Sequence, residues 1–123
     1  MIKGKESKED YLEAILVLKL KGDTVREVDV AHYLNFSKPS VTIAMKKLIK
    51  DDLVELTDEH KLELTAKGYE TASKTYDRHL NITRFLEKLG VDHATASDDA
   101  CQMEHDISEK TFQIMKNYFK GKK

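Results

Sequence analysis

Cys101, Glu104 and His105 fall within the stretch DDACQMEHDIS, separated by three and four residues. Residues so spaced share one face of a helix, so a thiolate, a carboxylate and an imidazole can project toward one point. Asp10 and Glu13 form a second such pair in SKEDYLEAILVLKLKG, and His79 stands alone in a long helical stretch. These six side chains offer the three donor types that bind divalent transition metals. If three helices converge, a first-row metal fits between them. Each residue also has a plainer use. Cys101 beside Ala100 and Met103 suits a core, Asp10 can cap its helix, Glu13 and Glu104 can face solvent, and either histidine can be satisfied in a packed interface. An i, i+3, i+4 trio arises often on a charged helix, so spacing alone decides little.

The elements that must carry these residues are mostly helical. Tyr11, Ala14, Ile15 and Leu18 keep helical spacing in a first helix that stops near Gly22, with Ser7 and Asp10 as a capping box. Val25, Val28, Val30, Ala31, Tyr33 and Leu34 fit a short second helix, and Asn35-Phe36-Ser37 is a tight connection. Ser37 caps a third helix with Pro39 in its first turn and an apolar stripe of Val41, Met45, Leu48 and Ile49. Short strands at Val54 to Thr57 and Lys61 to Thr65 flank Asp58-Glu59-His60 as a small hairpin. A long helix then runs from Ala66 to about Leu89, with Ala72, Tyr76, Leu80, Thr83 and Leu86 as inward candidates and Gly90 near its C-cap. Two further helices follow, from about His93 to Glu104 and from Ser108 to Phe119. In the latter, Phe112, Met115, Tyr118 and Phe119 lie on or near one side.

The expected architecture is a mostly α fold. A winged helix-turn-helix with a β-hairpin wing occupies residues 1–72, and an α-helical dimerisation and metal-binding domain occupies residues 73–123. About 50 residues in three helices bury too little to stand alone, so their apolar faces should meet the N-terminal half and a second copy. A homodimer is expected.

In a helix-turn-helix the second helix enters the major groove with its N-terminal side chains against base edges, while basic groups hold phosphates. Ser37, Lys38, Pro39, Ser40 and Thr42 are the candidates for base edges, and Lys46, Lys47 and Arg26 for phosphates. Small hydroxyls and a proline ring give modest direct readout, supported by DNA shape. The chain's formal net charge is only -1, so bulk charge cannot hold nucleic acid. The basic surface must be local, and no acid intervenes between Asn35 and Lys50.

With 40% hydrophobic and 35% charged residues over 123 positions, the chain reads as a well-solvated globular protein too small for a typical multi-domain enzyme. No apolar run approaches membrane-spanning length, and the N-terminus lacks a signal-peptide pattern. A cytoplasmic location without membrane association is expected. The lone cysteine excludes an intramolecular disulfide.

Taken over nearly the whole chain, the order of elements and the motif D-x-A-C-x-M-E-H-D-I-S resemble the diphtheria toxin repressor family of metal-dependent transcriptional regulators. The C-x-x-E-H pattern is similar to that of the iron-responsive branch. Asp10, Glu13, His79, Glu104 and His105 match ligand positions of the manganese-responsive branch, the manganese transport regulators, in which the position of Cys101 would be glutamate. In the iron branch the position of Asp10 would be methionine. The chain mixes the two patterns, and a soft thiolate beside hard carboxylates does not select cleanly between Fe(II) and Mn(II). The iron branch's ancillary site pairs His79 with an acid and a histidine at the positions of Thr83 and Ser97, so that site is not expected here. Without sequence for an SH3-like third domain, the chain resembles the short two-domain form.

The resemblance implies a metal-dependent repressor of metal uptake genes, with Mn(II) or Fe(II) as corepressor on a palindromic, double-stranded operator. Three other readings compete: a winged-helix regulator responding to a small organic ligand or partner protein, an enzyme using Cys101 and His105 as a thiolate–imidazole pair, and a dimerising module that binds no DNA. No oxyanion motif or resolving cysteine accompanies the enzymatic alternative.

Overall fold

A computed structural model describes residues 8–22 and 24–120. The order is α1 (Lys8–Leu20), α2 (Glu27–Leu34), α3 (Lys38–Lys50), β1 (Val54–Leu56), β2 (Leu62–Leu64), α4 (Ala66–Lys88), α5 (His93–Asp106) and α6 (Glu109–Lys120). Two compact units divide after Lys74, within α4.

In the N-terminal unit, Leu12 and Ile15 of α1, Val30 and Leu34 of α2, and Val41, Met45 and Leu48 of α3 are all buried. These positions recur at helical spacing, so each helix lays one stripe on the core. Tyr11 meets Phe36 edge-on, with ring centroids 5.7 Å apart. The capping partner expected for α1, Ser7, lies outside the described residues.

Three details differ from expectation. Val25 precedes α2 rather than joining it, because its carbonyl accepts the Leu62 N–H of the wing at 2.7 Å. Ile49 is 37% exposed: it lies at the margin of the Val41–Met45–Leu48 stripe and turns out of the core. The strands are three residues each, because Thr57 and Lys61 belong to the turn.

The turn between α2 and α3 depends on Asn35, whose φ of 60° places it in the left-handed region. Asparagine tolerates that conformation better than most side chains. Ser37 then caps α3, its Oγ accepting the Ser40 N–H at 3.2 Å. Such a cap contributes about 1 kcal/mol, and Pro39 starts the helix where no N–H is needed.

β1 and β2 are antiparallel, with Val54 opposite Leu64 and Leu56 opposite Leu62. Their turn is closed by Thr57, whose hydroxyl accepts the N–H groups of Glu59 and Lys61, and by His60 at φ 63°. At the wing's base the Thr65 N–H donates to the Leu53 carbonyl at 3.1 Å. Gly68, one turn into α4, passes so close that a Cβ there would fall on that same Leu53 carbonyl oxygen.

In the C-terminal unit, Ile82 of α4, Ala100 of α5 and Phe112 of α6 form a buried cluster, with Leu86, Met103, Ile107 and Met115 packed against it. Leu80, expected to face inward, is 43% exposed, while Thr83 is buried. The inward stripe of α4 follows Ile82 and Leu86 rather than Leu80. Tyr118 is also exposed, and the side chain of Phe119 lies outside the described residues.

Gly90 ends α4 at φ 105°. Asp92 caps α5, its carboxylate accepting the Thr95 N–H at 3.0 Å. That hydrogen bond holds the Asp92 carboxyl below the usual carboxylate range. A carboxyl whose folded pKa is depressed contributes stability above its unfolded pKa and loses it as pH falls through the folded value. Acidification into that window should therefore loosen the start of α5, read as a larger drop in amide protection, corrected for intrinsic exchange, at Thr95 than at residues of its last turn. An equal drop along α5 would contradict a local cap.

Candidate metal centre

His79, Cys101 and Glu104 each place one donor atom within 4.8 Å of the other two. His79 projects from α4, while Cys101 and Glu104 sit one turn apart on α5. The Glu104 side chain is fully buried. Its Oε1 lies 3.1 Å from His79 Nδ1, and its Oε2 lies 3.5 Å from Nε2 of His105, the next residue.

The imidazole of His79 is located from both sides, since Ser97 Oγ lies 3.3 Å from Nε2. Thr83 donates its hydroxyl to the His79 carbonyl at 2.7 Å. The Ser97 and Thr83 hydroxyls thus fix the ring and its backbone.

The donor set fits a first-row divalent ion. A carboxylate removed from water is costly unless paired, and this one lies within reach of an imidazole and a thiol. Thiolate, imidazole and carboxylate together suit Fe(II), Mn(II) or a similar ion. Asp10 and Glu13, the other two candidates, lie on α1 in the N-terminal unit, where both are buried rather than solvated. They are one turn apart on the same face.

The candidate DNA-reading side chains lie on the N-terminal unit. Ser37, Lys38, Pro39, Lys46 and Lys47 are exposed on α3 or at its cap, as is Lys50. Arg26, at the N-cap of α2, is exposed and reaches the wing turn through Nη2, 3.4 Å from the Glu59 carbonyl. Ser40 is half-buried and accepts the Ser37 hydroxyl at 2.9 Å. Thr42 is also half-buried, and its hydroxyl donates to Glu27 Oε1 at 2.7 Å. That bond ties α3 to α2 and leaves the Thr42 methyl as its free group. Ile43, which sequence reasoning passed over, is 71% exposed on α3. Its place off the Val41–Met45–Leu48 stripe is the signal the sequence offers.

Together these features describe a winged helix-turn-helix regulator with a metal-binding helical domain, and comparison with known proteins agrees. Residues 5–62 match the model for the iron dependent repressor N-terminal DNA binding domain. Residues 65–121 match that for the iron dependent repressor metal binding and dimerisation domain. An uncharacterized HTH-type transcriptional regulator of Methanocaldococcus jannaschii is 38% identical over 113 residues, which cover 90% of each chain. The transcriptional regulator MntR of Escherichia coli is 35% identical over 88% of this chain and 70% of its own. The solved manganese regulator SloR superposes with a TM-score of 0.84 and 28% identity, over 95% of this chain and 55% of that one. The present chain thus spans little more than half the length of that solved regulator.

The chain belongs to the iron-dependent repressor family of metal-dependent transcriptional regulators. Among the described residues, no helix is long and apolar enough to cross a membrane.

Proposed function

We propose that the protein is a cytoplasmic, homodimeric repressor of metal uptake genes, with Mn(II) or Fe(II) as corepressor and a palindromic operator as its DNA partner. One observation carries the reading: His79, Cys101 and Glu104 converge, with Glu104 buried, in the region that matches the family's metal-binding and dimerisation domain. A bound ion supplies a divalent charge and a fixed coordination geometry. Asp10 and Glu13 would hold it from the N-terminal unit, and His79, Cys101, Glu104 and His105 from the C-terminal unit.

These ligands, shared between the units, restrict how the reading head is oriented relative to the dimer axis. A dimer grips two half-sites about 34 Å apart, so restricting both heads removes arrangements in which only one can engage. Ser37, Lys38, Pro39, Ser40 and the Thr42 methyl then meet base edges, while Arg26, Lys46 and Lys47 meet phosphates. The coupling is reciprocal: DNA tightens metal by the factor by which metal tightens DNA, typically 5–150-fold.

Cys101 with Asp10 leaves the choice between the two ions to measurement. Fluorescence anisotropy of the protein on DNA from its own promoter, run anaerobically at fixed salt with chelator, Mn(II) or Fe(II), tests the reading. Tightening of about tenfold or more by one ion is expected. Equal affinity in all three conditions would overturn metal control and leave a winged-helix regulator that responds to something else.

A further inference from the structure

The residue before His79 is not among the donors, yet it holds the end of α5 that bears them. Arg78 Nη1 donates to the Glu104 carbonyl at 2.7 Å and to the Ile107 carbonyl at 3.1 Å. Its Nη2 reaches Glu109 Oε1 at 3.0 Å, and its guanidinium stacks over the Phe112 ring at 5.0 Å. The Arg78 side chain is only 19% exposed. One planar group therefore binds the last turn of α5, the first residue of α6 and an aromatic side chain of the unit's core.

The carbonyls at a helix C-terminus carry partial negative charge that nothing in the helix satisfies. A guanidinium suits them because its fork presents several donors at fixed angles, which an ammonium does not. Asp77, on the other side of Arg78, pairs with Lys116 of α6 at 3.0 Å. Asp77, Arg78 and His79 thus reach, in order, α6, the α5–α6 junction and the Glu104 carboxylate.

We propose that Arg78 is the positioning residue of the metal centre, fixing the backbone of Glu104 through that residue's own carbonyl while His79, its neighbour, faces the same residue's carboxylate. This rests on the metal-centre reading and adds to it the group that sets the geometry of the centre. The Glu104 side chain can then change partner without its backbone moving. The same guanidinium registers α5 to α6, so the backbone that bears the donors is held in place whether or not the centre is occupied.

The test uses the full-length chain loaded with Co(II), whose visible spectrum reports coordination geometry, together with Mn(II) affinity measured by chelator competition. Arg78→Lys keeps the charge and loses the fork. It should retain the wild-type circular dichroism and sedimentation mass, yet bind Mn(II) about 10–100-fold more weakly, the usual cost of removing an outer-shell partner, with a changed Co(II) spectrum. Lys116→Met removes a neighbouring ion pair of α4 and α6 and should leave both readouts unchanged. If both variants weaken metal equally, or Arg78→Lys matches wild type, the positioning role is overturned. If Arg78→Lys fails to fold, Glu109→Gln decides, because it loosens the exposed side of the guanidinium: an altered Co(II) spectrum supports the role and an unaltered one overturns it. A wild-type chain that binds neither ion would instead overturn the metal centre itself.

Discussion

Glu104→Gln is expected to weaken Mn(II) binding by about 100-fold or more while leaving the metal-free protein as stable as wild type or slightly more so. Losing an outer-shell partner already costs about 10–100-fold, and Glu104 is itself a candidate ligand with a fully buried side chain. The stability effect runs the other way. Without metal, a carboxylate held out of water opposes folding unless its partners offset the loss of hydration. The neutral amide carries no such charge and keeps the shape. Thermal unfolding separates the two effects. Wild type should gain about 2.7 kcal/mol at a metal concentration of 100 times its Kd, seen as a rise in Tm, whereas a variant about 100-fold weaker should gain only about 0.4 kcal/mol at the same concentration. A variant that keeps the full metal-dependent rise would remove Glu104 from the centre.

Gly68→Ala should destabilise the N-terminal unit. On helix propensity alone, alanine in α4 would gain about 1 kcal/mol. The added Cβ, however, falls on the Leu53 carbonyl oxygen, a backbone atom that cannot rotate aside as a flexible side chain could. That carbonyl also accepts the Thr65 N–H at the base of the wing, so relief must come from separating α4 from the wing. Overpacking of this kind typically costs 1–3 kcal/mol, and a contact with backbone belongs at the top of that range, a net loss of about 2 kcal/mol after the propensity gain. A lower urea midpoint for the full chain is the expected result. A midpoint at or above wild type would show that the two segments part easily.

The elements read from sequence were those with strong local signals. Ser37 and Pro39 mark the start of α3 because capping and the missing N–H are properties of adjacent residues. The hairpin followed from alternation around Asp58-Glu59-His60, and Cys101 and Glu104 met because residues one helical turn apart share a face. The limits were equally physical. Leu80 and Ile49 are exposed because the width of an apolar stripe depends on what packs against it. The Thr42 hydroxyl goes to Glu27, a partner that helical periodicity does not point to. Arg78 gave no signal because its contacts with Glu104, Ile107 and Glu109 lie 26 to 31 residues away. Glu13 is buried, although a carboxylate on a charged helix can equally face solvent.

The wing itself bears on where a polyanion can adhere. Glu55 stands opposite Glu63 across the hairpin, and the turn adds Asp58 and Glu59. The nearby cations are largely engaged, with Lys19 on Glu63 and Lys61 on Glu59, where Lys61 holds the Glu59 carboxyl below its usual range. A wing of this charge gives a polyanion little to adhere to, which sets it apart from the face of α3, where Lys38, Lys46, Lys47 and Lys50 are exposed.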